Sequence, residues 1–246
     1  MSERADWLDD IGHSRVKWGS ARGGRLDPEN LGACALDQPE ALIVALTAGA
    51  TGSVWLSGQS NSETVAQITD QLSRAGLSLQ PVKTGAFRLP VAAPYPQLGS
   101  DRWLALQWPW QQSRRSLCVI DCGTAITVDV VDGSGRHLGG WIMAGLTSLR
   151  ESLLQRARGL PRDELPVEAL DLPALDSSGA IGRGTALQAI AAIDRAVAGA
   201  GALLGESPEL WLTGGEAGAV DGHLARSTQR DDWLVLRGLA MLAEAA

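Results

Sequence analysis

The sequence predicts an internally duplicated α/β protein, and three observations carry that expectation. An Asp-x-Gly turn closes an apolar run in "DWLDDIGHSRVKWG" (residues 6–19), and another does so in "SLCVIDCGTAITVDVVDG" (residues 116–133). After each turn, short apolar runs of strand length alternate with segments of helical period. The 246 residues, 45% hydrophobic and 20% charged, suffice for one large globular domain or two small ones.

The elements follow in chain order. Residues 5–11 and 14–20 read as two strands around a tight turn, and Leu42, Val44 and Leu46 mark a helix-like stretch before the strand "SVWLS". In "SNSETVAQITDQLSRAG", Ser60 and Glu63 form a capping box, Val65, Ile68 and Leu72 form the apolar stripe, and Gly76 stops the helix. A further helix is expected to begin at Gly99-Ser100-Asp101 and to end at Pro109. The polar "QQSRRS" then reads as a boundary, dividing the chain into halves 1–112 and 113–246. The second half opens with strands near 116–122, 125–132 and 136–143. Leu187, Ile190, Ile193 and Val197 mark a long helix, "ELWLTGG" a strand running into a Gly-Gly turn at a helix start, and a closing strand and helix follow from Trp233.

Composition excludes several functions. A net charge of −7 and a pI near 5.0 argue against binding nucleic acid through its phosphates. No secretory h-region opens the chain and no apolar run approaches a membrane span, so a cytoplasmic protein without a membrane partner is expected. Cys34, Cys118 and Cys122 form no CxxC, and His13, His137 and His223 stand apart, so any metal would be held by oxygens. Most of the nine tryptophans are expected in the core or at an interface.

The repeated turn suggests a chemistry. Glycine and small hydroxyl residues expose backbone N–H groups to an anion, which is how proteins cradle phosphate. The preceding aspartate cannot bind phosphate directly, but it can hold a cation that neutralises one. Ser14, Lys17 and Thr124 would add donors, and Gly214-Gly215 offers a further turn.

At these residues the chain resembles a known group, the acetate-and-sugar-kinase, actin and chaperone ATPase superfamily, and within it the type III pantothenate kinases. The resemblance runs from "DIGHSRVKW" through "LGSDRWLAL", "DCGTAITVDVVDGSGRHLGGWIMAGL" and "LTGG" to "LVLRGLAML". It implies duplicated ribonuclease H-like (actin-like ATPase) domains with a central cleft. It also implies ATP-dependent phosphorylation of pantothenate to 4'-phosphopantothenate, the first step of coenzyme A synthesis, by a homodimer using ATP with Mg2+ and a monovalent cation, K+ or NH4+.

Carried over residue by residue, Asp10, Gly12, His13, Ser14 and Lys17 match the first phosphate loop, with Asp10 a magnesium ligand directly or through water. Asp121, Gly123 and Thr124 match the second, Asp121 being the monovalent-cation position, and Gly214 and Gly215 lie on the adenosine side. Gly99, Ser100, Asp101 and Arg102 match the GxDR segment, in which the resemblance makes Asp101 the catalytic base and Arg102 a pantothenate contact. Gly140 and Ser177 fall at further substrate positions. The chemistry agrees, since phosphoryl transfer needs an acceptor for the hydroxyl proton and otherwise depends on positioning and charge neutralisation. The chain departs from the family pattern at His13 (Asn), Ala92 with a displaced Tyr95 (Asn-Gly-Tyr), Ala144 (Pro) and Ser177 (Thr). These departures leave two alternatives to be tested: an accessory or regulatory relative of the same fold, and a kinase of another small molecule.

Overall fold

A computed structural model describes residues 5–49, 53–58, 63–157, 159–160, 170 and 172–246. The chain forms two compact units: Met1–Arg115 with Val131–Leu138 and Trp233–Ala246, and Ser116–Val130 with Gly139–Asp232. This differs from a single cut at 112/113, because the C-terminal helix packs on the first unit.

In the first unit, β1 (Asp6–Ile11) and β2 (Arg15–Arg22) form an antiparallel hairpin with Asp10 opposite Lys17. β3 (Arg25–Leu26) and β4 (Gly32–Ala35) both pair with β2, and α1 (Glu40–Gly49) leads to β5 (Ser53–Ser57). α2 (Glu63–Arg74) and β6 (Ser78–Pro81) follow. Both β5 and β6 are parallel to β1, giving the order β3-β2-β1-β5-β6. The stripe expected on α2 is real: Ile68 and Leu72 are buried, packed with Trp7, Ile11, Leu42, Leu46 and Leu56 in the unit's core. The capping serine expected for this helix, Ser60, lies outside the described residues.

The helix expected to stop at Pro109 is instead two helices, α3 (Ser100–Ala105) and α4 (Gln107–Ser113). Pro109 sits in the first turn of α4, where its missing N–H removes no helical hydrogen bond, and Arg114 ends that helix at φ +54° with its guanidinium over Trp110. Part of the polar boundary "QQSRRS" is thus helical.

In the second unit, β7 (Leu117–Cys122), β8 (Ala125–Val131) and β9 (His137–Ala144) form the opening strands. α5 (Leu146–Arg156), α6 (Ser177–Leu204), β10 (Glu209–Thr213) and β11 (Gln229–Arg230) complete it. β10 runs parallel to β7 and to β11, so the order is β9-β8-β7-β10-β11. Each sheet therefore places its hairpin's first strand centrally, flanked on one side by its antiparallel partner and on the other by two later parallel strands, which is the duplication in structural form. The closing strand precedes Trp233, and α7 (Leu234–Ala245) follows it. On α7, Gly238 brings the helix against the Leu104 carbonyl of α3; a Cβ there would collide with that oxygen.

One expectation needs correction. α6 is long and apolar enough by composition to cross a membrane, contrary to the reading that no stretch comes near; its Ile181, Ala189, Ile190, Ile193 and Val197 are buried in the second unit. Leu187, one of the residues that mark this helix in the sequence, is 58% exposed, while Ile190, Ile193 and Val197 are buried. Among the tryptophans, Trp7, Trp18, Trp103, Trp110 and Trp211 are buried, as are Cys118 and Cys122.

Candidate functional site

In the first unit the site is built on the carboxyl edge of parallel strands, where open α/β sheets place their ligands. The chain leaves β1 through Gly12, whose N–H donates to the Arg15 carbonyl at 2.9 Å and closes the turn. β5 ends at Ser57, paired with Asp10, and turns at Gly58 with φ +82°. A Cβ on Gly58 would collide with the Ile11 carbonyl, so only glycine allows this approach.

Ser100 fixes the next layer. Its Oγ accepts the Gly58 N–H at 3.2 Å and lies 3.5 Å from Ser57 Oγ, docking the start of α3 on the end of β5. Asp101 follows on α3, its Oδ1 2.5 Å from where a Cβ on Gly99 would stand, so Gly99 leaves room for the carboxylate. The turn, the Gly58 loop and α3 surround a cavity of about 470 Å³ lined also by Val82, Lys83, Thr84 and Leu98.

Of the first-unit residues singled out from sequence, Gly12, His13, Gly99, Ser100 and Asp101 line this cavity. Asp10, Ser14, Lys17 and Arg102 are not among its lining residues; Lys17 lies 5.9 Å from the Trp233 ring. Tyr95 is 40% exposed and is not a lining residue either. Sequence reasoning missed Gly58, Lys83 and Thr84. Gly58 had a signal, a glycine directly after an apolar strand, and Lys83 had one as well, being one of two lysines in the chain.

The second unit has its own cluster. The turn after β7 is tighter than its counterpart, with the Gly123 N–H donating to the Ala125 carbonyl at 3.0 Å. Gly214, at φ +103°, is pressed onto Asp121 and Cys122; a Cβ there would lie 2.5 Å from Asp121 Oδ1 and would meet the Cys122 carbonyl. Glu216 donates its N–H to the Cys122 carbonyl at 2.8 Å, while its carboxylate accepts the N–H groups of Leu146 and Thr147 at 2.9 and 3.2 Å. Ser148 Oγ donates to the Thr124 carbonyl at 2.7 Å. Asp121, Gly123, Thr124, Gly214 and Gly215 therefore share one neighbourhood, strapped by Glu216, another residue the sequence reading missed. Gly214-Gly215 leads into a single 3-10 turn, Ala217–Ala219, in place of the helix expected there.

Gly140 lies on β9, and Ser177 opens α6 beside a separate cavity of about 330 Å³ lined by Leu153, Ile181 and Thr185. The structure does not place these two with the second-unit turns. Burial pushes the Cys122 thiol up to about 12, with the Asp121 and Glu216 carboxylates adding to the effect, so it is no nucleophile here.

Two sheets of one order, each with a glycine turn after its first strand, give the fold of the actin-like and sugar-kinase class. Solved structures agree on the fold. A Campylobacter jejuni protein described as a Baf family transcriptional activator superposes with a TM-score of 0.60 at 19% identity, covering 95% of this chain and 94% of that one. A Listeria monocytogenes protein described as an N-acetylmannosamine kinase gives 0.55 at 14% identity, covering 98% and 100%.

The family model for type III pantothenate kinase matches residues 8–199. Similar proteins named type III pantothenate kinase include one from Alkalilimnicola ehrlichii, 35% identical with 96% of this chain and 97% of the relative covered. Another, from Nitrosococcus oceani, is 31% identical over 96% and 93%. The chain belongs to the type III pantothenate kinase family, whose reaction is the ATP-dependent phosphorylation of pantothenate in coenzyme A biosynthesis.

Proposed function

We propose that this chain is a working pantothenate kinase with Asp101 as its base. The observation that carries the reading is the cavity in which Asp101, Gly12 and His13 meet, a carboxylate facing a phosphate-type turn. Asp101 accepts the proton of the pantothenate primary hydroxyl; that oxygen bonds to the γ-phosphorus of ATP as the bond to the bridging oxygen breaks and ADP leaves. Gly12, His13, Ser14 and Lys17 are assigned to phosphate, and Gly123, Thr124, Gly214 and Gly215 to the nucleotide, on the resemblance. Ser100 holds α3 in place, and Gly99, Arg102, Gly140 and Ser177 are assigned to the substrate on the resemblance alone.

The donor set suits hard cations. Among the described residues no three His, Cys, Asp or Glu side chains cluster to hold a metal by themselves. Magnesium commonly takes one or two carboxylates together with substrate phosphates and water, and Asp10 at the end of β1 supplies such a carboxylate. Asp121 is assigned to a monovalent cation. Either ion, when bound, neutralises phosphate charge.

The reading includes a cytoplasmic homodimer. Trp141, Ile142, Leu153 and Leu187 are each at least 40% exposed in the second unit, which supports an interface there. Sedimentation at micromolar concentration tests it, and a monomer would refute it. The central test is ADP release from ATP and magnesium with pantothenate, run with potassium or sodium as the sole monovalent cation. Potassium-stimulated turnover is expected, together with a loss of at least ~100-fold in kcat for Asp101→Asn and retained nucleotide binding. A folded but silent wild-type protein would reject the kinase reading, and unchanged turnover in the variant would reject the base.

A further inference from the structure

The cavity beside Asp101 has one feature that the family assignment does not use. Lys83 is the sole lysine or arginine among its lining residues, and Asp101 is the sole carboxylate. No acidic side chain among the described residues pairs with the Lys83 ammonium. Arg102, which the resemblance makes a pantothenate contact, follows Asp101 on α3 but is not among the lining residues.

The position of Lys83 follows from the sheet. β1, β5 and β6 are adjacent and parallel, so the loops that leave them lie side by side along one edge. The β1 loop carries Gly12 and His13. The β5 loop carries Gly58, onto which Ser100 docks the start of α3 and so Asp101. The β6 loop carries Lys83 and Thr84; the Val82 N–H donates to the Leu56 carbonyl at 2.8 Å, extending the pairing to the edge, and Thr84 Oγ1 donates to the Leu98 carbonyl at 2.6 Å. The sequence along the edge is therefore phosphate turn, base, cation. At ~4.8 Å between strands, Lys83 starts one strand beyond the β5 loop on which α3 docks, and its side chain, about 6 Å long, extends that reach to about 10 Å.

Pantothenate has matching ends. Its primary hydroxyl and its carboxylate are separated by about nine bonds, roughly 10 Å at the ~1.2 Å per bond of an extended chain. With the hydroxyl at Asp101, a substrate of that length can bring its carboxylate to Lys83 within the same cavity. We infer that Lys83 binds the carboxylate of the substrate and selects for the acid over neutral analogues. The inference rests on the kinase reading above.

Full-length wild type, Lys83→Met and Lys83→Arg are compared by steady-state ADP release with pantothenate varied at saturating ATP, then with ATP varied. Removing one charge-assisted contact is expected to raise the pantothenate KM by about 10- to 50-fold in Lys83→Met, with kcat within about twofold and the ATP KM unmoved. Lys83→Arg is expected to recover most of the loss. Lys83 is exposed, so the variants are expected to keep the wild-type melting temperature. An unchanged pantothenate KM in Lys83→Met would overturn the inference while leaving the kinase reading intact, and so would a change confined to kcat or the ATP KM. A wild-type protein inactive on pantothenate would instead overturn the reading, and the inference with it.

Discussion

Asp9 is the residue whose replacement the structure makes most informative. It lies on β1 with its side chain on the same face as Trp7 and Ile11, among the apolar residues of the first-unit core, and it is fully buried. Neither carboxylate oxygen has a hydrogen-bond partner. Burial, and secondarily the negative charge of Asp10, push its pKa well above the ordinary carboxylate range.

The sign of the linkage follows. The unfolded chain releases the Asp9 proton near pH ~3.9, whereas the folded chain holds it. Below that pH the two states bind the same proton and no penalty exists. As pH rises from there toward the folded pKa, stability falls by about 1.4 kcal/mol per pH unit. Asn has the same shape and cannot ionise, so Asp9→Asn removes the slope while keeping a buried polar group, which itself costs about 1 to 3 kcal/mol in either protein. Wild type and variant are therefore expected to be within about 1 kcal/mol of each other near pH 4. The variant should become the more stable by about 1.4 kcal/mol for each unit of pH above that, up to the folded pKa. Urea titrations at half-unit pH intervals, read by amide exchange in peptides covering β1 and β2, measure this directly. Parallel pH profiles for the two proteins would refute the reasoning, because they would mean that Asp9 ionises alike in the folded and unfolded chain.

Two further outcomes are expected. Gly58→Ala places a methyl group into the Ile11 carbonyl at a positive φ and should disturb the cavity more than the fold. A loss of at least ~10-fold in kcat/KM with a melting temperature lowered by only a few degrees is expected, and wild-type kinetics would refute the packing argument. Burial raises the Cys118 and Cys122 thiols to about 12 but leaves Cys34 only partly covered and less strongly raised. Iodoacetamide at pH 8 should therefore label Cys34 alone until urea unfolds the chain, as read by peptide mass spectrometry; labelling of Cys118 or Cys122 in the native protein would contradict their burial.

What the sequence revealed tracks how local the physics is. Strand hairpins with apolar alternation and the Ile68–Leu72 stripe are set by neighbours in the chain, and they were legible. Pro109 misled because a proline permits the first turn of a helix as readily as it ends one, and the choice was made by the packing of Trp103 and Trp110 in the core. Leu187 marked α6 correctly yet is exposed, because this helix of 28 residues carries apolar side chains around more of its circumference than one neighbour can cover. The missed site residues share a different cause. Lys83, Thr84 and Glu216 belong to loops whose meaning arises only when parallel strands align their ends, and no periodicity in the chain encodes that meeting.

The repeated turn also explains why two copies need not do one task. Each follows the central strand of its sheet, so the fold presents both at strand ends. Yet the first spans Gly12 to Arg15 and opens onto the cavity with Asp101, while the second closes within Gly123 to Ala125 under Gly214 and the Glu216 strap. One additional residue separates a tight hairpin from a turn that lines a cavity. On the proposed kinase reading that difference has a use: the looser turn would admit the phosphoryl group as it moves to a new oxygen, whereas the tighter one would only hold the nucleotide still.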